Sequence, residues 1–189
     1  YEIGSGLVGS EMCIRDRHCV GCWAGEYGHK NNLSFEDMDK IVTQGKELGV
    51  YLYMLTGGEP LVRRGILDIC RTLRAIPELE ELCLTTNGSL LPELAKPLQE
   101  AGVDRLNISL DTLRPEVFRQ ITARDDFAAV QAGLQAALES GLPVKLNCVP
   151  QAGINEGELE QLAALAKDNA LQVRFIEMMP IGYGAAMPC

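Results

Sequence analysis

Apolar positions alternate along the chain between helical spacing and short continuous runs. Between residues 34 and 49 apolar side chains recur every three or four positions, which predicts a helix that begins after Ser34 and ends at Gly49. Apolar runs at 50–55, 81–85, 103–110, 143–149 and 171–177 are short and bounded by glycine, asparagine or proline, which predicts five buried strands. Helical patterns at 65–75, 92–101, 126–140 and 156–169 separate these strands.

This order of strand and helix predicts an α/β fold with a parallel sheet built from right-handed βαβ units. The pattern alone does not separate an open doubly wound sheet from a barrel. In both architectures the functional site lies at the carboxyl ends of the strands. Glycine and polar residues follow several predicted strands here, so we expect a site at that end of the sheet.

Composition narrows the class of protein. The chain has 189 residues, 47% of them apolar, as in an ordinary globular domain. Its net charge of −9 argues against non-specific nucleic-acid binding but allows a small anionic substrate held by a few cations. No apolar run approaches the roughly 20 residues of a membrane helix, so no membrane association is expected. Seven cysteines without a disulfide pattern indicate a reducing compartment, and we expect a cytoplasmic protein. Cys70, Cys83 and Cys148 lie in apolar segments and are interpreted as core residues.

The amino-terminal segment stands apart from the rest. Residues 1–17 show no hydrophobic period and end in Ser-Glu-Met-Cys-Ile-Arg-Asp-Arg, which resembles translated sequencing-adaptor sequence. They are interpreted as an artefactual or disordered segment, and residues 18–189 as one domain. Because the chain stops after the fifth predicted strand, we expect this domain to be truncated at both ends.

Two motifs carry candidate chemistry. Cys19 and Cys22 stand two residues apart in a glycine-containing loop, where two thiolates can hold one metal or one edge of a cluster. Alone, the pair is compatible with zinc, a redox dithiol or an iron–sulfur cluster. Thr-Gly-Gly-Glu-Pro at 56–60 follows a predicted strand. Its glycines allow a ligand to approach the backbone, and Glu59 offers an acceptor for an ammonium group.

Together these motifs resemble the radical S-adenosylmethionine (SAM) superfamily. The resemblance implies a partial (β/α) TIM-like barrel, with a [4Fe–4S] cluster held by three cysteines and one iron left open for SAM. It places Cys19 and Cys22 among the cluster ligands. It also implies that an external electron donor drives the cleavage of SAM to a 5'-deoxyadenosyl radical.

Residues after Leu61 resemble one branch, the GTP 3',8-cyclases of molybdenum-cofactor biosynthesis, which are lyases. The matching stretches are Leu-Thr-Thr-Asn-Gly at 84–88, Arg-Leu-Asn-Ile-Ser-Leu-Asp at 105–111, Val-Lys-Leu-Asn-Cys-Val at 144–149, Gly-Ile-Asn at 153–155 and Arg-Phe-Ile-Glu-Met-Met at 174–179. The resemblance implies conversion of GTP to 3',8-cyclo-7,8-dihydro-GTP. It places Gly58, Ser109 and Met179 in the SAM site, and Thr85 and Lys145 in the GTP site.

The chain departs from this pattern at three places. The first cluster cysteine is expected four residues before Cys19, where Arg15 stands; Cys13 is two residues too early. A GTP-contacting arginine of the family is replaced by Met54. Residues 19–49 are more similar to another radical SAM branch, which suggests a chimera joined near residues 56–63. The alternatives are therefore a radical SAM enzyme acting on a peptide or lipid, a catalytically inactive fragment, and a zinc-binding module.

Overall fold

The computed structural model describes residues 5–9, 35–77 and 79–178. Strands and helices alternate along these ranges. The strands are β1 (Ser5–Gly9), β2 (Leu52–Gly57), β3 (Glu81–Thr86), β4 (Arg105–Ser109), β5 (Val144–Cys148) and β6 (Leu171–Phe175). The helices are α1 (Phe35–Glu47), α2 (Ile66–Arg74), α3 (Leu91–Glu100), α4 (Pro115–Thr122), α5 (Phe127–Glu139) and α6 (Leu159–Asp168), with single 3-10 turns at Pro60–Val62 and Glu156–Glu158.

The six described strands form one parallel sheet in the order β1-β2-β3-β4-β5-β6. The predicted parallel arrangement of the strands near 50–55, 81–85 and 103–109 is therefore confirmed. A doubly wound sheet reverses its strand order at a switch point, whereas a barrel adds each strand beside the previous one. The observed order is that of a barrel. No pairing joins β1 to β6, so this part of the chain is an open, partial (β/α) barrel, as predicted.

One face of the sheet is packed against the helices. Because side chains alternate along a strand, every second residue points to this face, and these residues are apolar and buried. Leu82, Leu84, Leu106, Ile108 and Leu146 are all inaccessible to solvent. The same core contains Leu91 and Leu98 of α3, Val130 of α5 and Leu162 of α6. No helix in the described ranges is long and apolar enough to cross a membrane.

Helix α5 lies unusually close to the turn that follows β3. Gly88 has φ +86° in this turn, a conformation that favours glycine. A Cβ added to Gly133 of α5 would lie 2.0 Å from the Gly88 carbonyl oxygen, so no side chain fits at position 133. This contact holds the turn at the carboxyl end of β3 firmly against the helical layer.

Two elements lie where the sequence predicted none. Residues 5–9, inside the segment interpreted as artefactual or disordered, form β1 and pair in parallel with β2. The rest of residues 1–17 lies outside the described residues. Helix α4 begins at Pro115, whose fixed φ suits a first helical position, and buries Val117, Phe118 and Ile121. Val117, Phe118 and Ile121 stand at helical spacing, so the signal for α4 was available in the sequence.

Candidate active site on the inner face of the partial barrel

The face of the sheet opposite the helices is polar, and we call it the inner face. Strand register arranges its side chains in rows. One row joins Thr85, Asn107, Lys145 and Gln172, and the row nearer the carboxyl ends joins Ser109, Asn147 and Arg174. The family resemblance predicts Thr85 and Lys145 in the GTP site and Ser109 in the SAM site. Thr85 and Lys145 share one row, two residues deeper along the strands than Ser109, while their roles in binding stay predictions.

A hydrogen-bonded network crosses the inner face from β2 to β6. The Thr85 hydroxyl donates to the Met54 sulfur over 3.4 Å, and the Asn107 amide nitrogen donates to the Thr85 hydroxyl over 3.2 Å. Arg174 completes the network. Its Nη2 donates to Asn107 Oδ1 and its Nε to Asn147 Oδ1, each over 3.0 Å. Side chains from five neighbouring strands, β2 to β6, thus hold one another in place.

Arg174 is a site residue that sequence reasoning missed. In the sequence, Arg174 stands out only as the first residue of the stretch at 174–179 that resembles the GTP 3',8-cyclases. The signal was available, because Gln172 and Arg174 alternate with Leu171, Val173 and Phe175 in β6. Burial and the neighbouring Arg105 lower the pKa of Arg174, yet a guanidinium remains protonated at any physiological pH. The structure therefore holds a permanent, half-buried cation on the inner face.

The deep end of the inner face is a cavity of about 480 Å³ at the amino ends of β3–β6. A volume of this size is typical of small-molecule sites. Its charged lining residues are Glu81, Asp104, Arg105 and Lys145, two carboxylates and two cations. Arg105 pairs with Glu81 over 2.5 Å, while its buried Nε has no hydrogen-bond partner. Of the two residues predicted to bind the substrate, Thr85 and Lys145, it is Lys145 that lines this cavity.

Glu59 has a structural role that the sequence did not predict. Its carboxylate is buried, with 1% exposure, and accepts hydrogen bonds from the Leu61 and Asn87 amides and the Thr86 hydroxyl, over 3.0, 2.6 and 2.7 Å. These bonds tie the loop after β2 to the end of β3. The neighbouring Gly58 is half-buried in the same loop. The geometry favours Glu59 as the residue that fixes this loop, and its contact with the SAM ammonium group stays a prediction.

A second buried carboxylate connects the loops after β4 and β5. Glu158 accepts from the Thr112 hydroxyl, the Leu113 amide and the Arg114 guanidinium over 2.7–2.9 Å. Burial alone raises the pKa of Glu158, but the three donors outweigh it, so the pKa lies below its ordinary value. Asn155, also fully buried, bridges the same loops through the Asp111 and Val149 carbonyls.

Acidification is expected to remove the stabilisation that Glu158 provides. A lowered folded pKa means that this contribution is complete above the unfolded pKa of about 4.3 and is lost as the pH falls through the folded value. We expect Glu158→Gln to lower the free energy of unfolding by about 1–3 kcal/mol at pH 7. Urea unfolding at pH 7, 5 and 3.5 should show this difference shrinking towards the lowest pH. The exposed Glu160→Gln is the matched control, and a difference independent of pH would contradict the prediction.

The remaining predicted site residues divide into two groups. Ser109 is exposed at the end of β4, on the same face as Asn107. Cys19, Cys22 and Met179 lie outside the described residues. The three cysteines interpreted as core residues are confirmed as buried: Cys70, Cys83 and Cys148 are fully inaccessible. Burial raises the pKa of each of these thiols to about 12, so they stay protonated and are poor metal ligands.

The family assignment follows from comparison with known proteins. The model of the radical SAM superfamily matches residues 9–166. The chain therefore belongs to the radical SAM superfamily. Solved structures show the same fold. The [FeFe]-hydrogenase maturase HydG superposes with a TM-score of 0.76 at 15% sequence identity, and the match covers 98% of this chain and 45% of the HydG chain. Methylornithine synthase, PylB, superposes with a TM-score of 0.72 at 16% identity, and the match covers 93% of this chain and 53% of the PylB chain.

The curated relatives include GTP 3',8-cyclases. That of Petrotoga mobilis is 50% identical over 155 residues, which cover 82% of this chain and 48% of the relative. The GTP 3',8-cyclase of Pseudomonas putida strain W619 is 46% identical over 178 residues, which cover 90% of this chain and 53% of the relative. The resemblance seen in the sequence is confirmed by these relatives. The chain spans about half the length of the curated relatives it matches.

Membership of the superfamily implies a [4Fe–4S] cluster and SAM. The described residues fit SAM at the carboxyl ends of the strands, where Gly58 has no side chain in the loop after β2 and Ser109 exposes a hydroxyl at the end of β4. Within residues 35–77 and 79–178, no group of three His, Cys, Asp or Glu side chains is placed to hold a metal ion. Cys19 and Cys22 lie outside these ranges, and their role as cluster ligands stays a prediction.

Proposed function

We propose that the chain is the barrel part of a radical SAM enzyme that converts GTP to 3',8-cyclo-7,8-dihydro-GTP. One observation carries the choice of substrate class. The inner-face positions of β2–β6 contain three cations, Arg105, Lys145 and Arg174, and one carboxylate, Glu81. The whole chain has a net charge of −9, so this face carries an excess of cations that the chain as a whole lacks. A surface of this kind attracts a polyanion such as a nucleoside triphosphate.

In this proposal the chain's own residues bind and orient two ligands. Gly58, Ser109 and Met179 hold SAM at the carboxyl ends of the strands, near the cluster ligands Cys19 and Cys22. Lys145 and Arg174 hold the phosphates of GTP, and Thr85 contacts the same substrate. When bound, the cluster and SAM supply the 5'-deoxyadenosyl radical chemistry of the family. The sheet contributes a polar surface that keeps the two ligands in a fixed relation.

The proposal includes an external electron donor, because the cleavage of SAM is reductive. It also includes a cytoplasmic location, which is supported by three buried free thiols in Cys70, Cys83 and Cys148.

Lys145→Ala tests the proposed substrate site. We expect this change to weaken GTP binding about 10- to 100-fold, because a charge-assisted hydrogen bond to phosphate is lost in a partly desolvated site. SAM binding should change less than threefold, because Lys145 lies two residues deeper along the strands than Ser109. Calorimetric titration with each ligand gives both affinities, and Lys167→Ala on the exposed surface of α6 is the control. Equal losses for GTP and SAM would argue against separate sites.

A further inference from the structure

Asn107 occupies the centre of the inner-face network and contacts residues on three other strands. It is the third residue of β4 and is 1% exposed. Its Oδ1 accepts from Arg174, and its Nδ2 donates to Thr85 and lies 3.7 Å from the Met54 sulfur. The orientation of this amide is fixed by chemistry. A guanidinium can only donate, so it must face Oδ1, which turns Nδ2 towards the Thr85 hydroxyl.

This orientation decides what Thr85 can offer to a ligand. A hydroxyl has one donor hydrogen and two acceptor lone pairs. Thr85 uses its hydrogen on the Met54 sulfur and one lone pair on Asn107 Nδ2. A single acceptor lone pair remains. With its hydrogen directed to the Met54 sulfur, Thr85 is set to accept from an N–H or O–H donor, such as a ribose hydroxyl or a purine N–H, in preference to binding a phosphate oxygen.

On its other side Asn107 prepares Arg174 for an anion. A guanidinium has five N–H groups, of which Asn147 and Asn107 take one each. Three N–H groups remain on a side chain whose plane is held by two amides. Such a preorganised fork suits phosphate.

We infer that Asn107 is a positioning residue that determines which hydrogen-bonding groups the substrate site presents. It leaves an acceptor at Thr85 for the nucleoside and donors at Arg174 for the phosphates. This inference rests on the proposed function, because it assigns Asn107 a role in the proposed GTP site. Asn107 does not itself contact the substrate, because its amide is already used by Arg174, Thr85 and Met54. Its effect on binding is transmitted by Thr85 and Arg174.

The test compares GTP with inorganic tripolyphosphate, which has the anion but no nucleoside, as ligands of the chain without SAM or cluster. We expect Thr85→Val and Asn107→Leu each to weaken GTP binding about tenfold, the loss of one hydrogen bond. The double variant should lose about tenfold to thirtyfold, well below the product of the two single losses, because the part of the Asn107→Leu effect that acts through Thr85 is already absent in Thr85→Val. Thr85→Val should leave tripolyphosphate binding within twofold of the unaltered chain. A hundredfold, additive loss in the double variant would overturn the inference.

A second variant separates positioning from folding. Asn107→Asp keeps an acceptor for Arg174, so thermal unfolding should stay close to that of the unaltered chain at pH 7. The carboxylate cannot donate to Thr85 and adds a negative charge, so it should weaken GTP and tripolyphosphate binding, each at least tenfold. GTP affinity unchanged in both Asn107→Asp and Asn107→Leu would overturn the role of Asn107. An unaltered chain that binds neither ligand would instead contradict the proposed function.

Discussion

Glu59→Ala is expected to lower the free energy of unfolding by roughly 3 kcal/mol or more. The change leaves the Thr86 hydroxyl and the Leu61 and Asn87 amides without their buried acceptor, at about 1–3 kcal/mol for each unsatisfied group. Urea unfolding measures the total loss. Hydrogen exchange should show faster exchange at the Asn87 amide, which the carboxylate binds over 2.6 Å.

Glu59→Gln tells a structural role from a purely ligand-binding one. A glutamine cannot accept from all three donors, because its Nε2 would face either an amide N–H or the threonine hydroxyl. We therefore expect an intermediate loss of about 1–2 kcal/mol. The control is Glu100→Gln, an exposed carboxylate at the end of α3, which should change stability by less than about 0.5 kcal/mol. Unchanged stability in Glu59→Gln with weakened SAM binding would show that Glu59 acts only on the ligand.

Arg15→Cys is expected to give the largest change in cofactor content. A cluster with one open iron needs three protein thiolates, and the sequence places only Cys19 and Cys22 at the family spacing. Arg15 stands at the position of the third thiolate and cannot become a ligand. After anaerobic reconstitution we expect the unaltered chain to retain well under four irons, and Arg15→Cys to approach four with the broad visible absorption of the cluster.

Arg17→Cys is the matched control for that experiment. It adds one thiol two residues before Cys19 rather than four, so it should not raise the iron content. Iron close to four in the unaltered chain would contradict the prediction and would make Cys13 the third ligand.

The hydrophobic pattern determined the class of fold. Buried strand residues such as Leu82, Leu106 and Leu146 are apolar because they face the helical layer, and that property is local to the sequence. The pattern did not separate barrel from doubly wound sheet, because both use the same βαβ unit. Strand order decides it, and strand order depends on long-range pairing that leaves no local period. The pairing of residues 5–9 with β2 is also long-range, and it leaves no periodic pattern in the sequence.

Motifs and spacing likewise determined the superfamily, the candidate cysteines and the glycine-bearing loop at 56–60, because each is a contiguous stretch whose chemistry is local. Only the tertiary structure showed what the polar residues do. Glu59 is bound by donors from β3, and Asn107 joins Thr85 to an arginine 67 positions away in the chain. A buried polar group must find partners wherever the fold brings them, so its role depends on strands that are distant in sequence. For that reason Arg174 and Asn107 became visible as parts of one site only when β2, β3, β4, β5 and β6 were placed side by side.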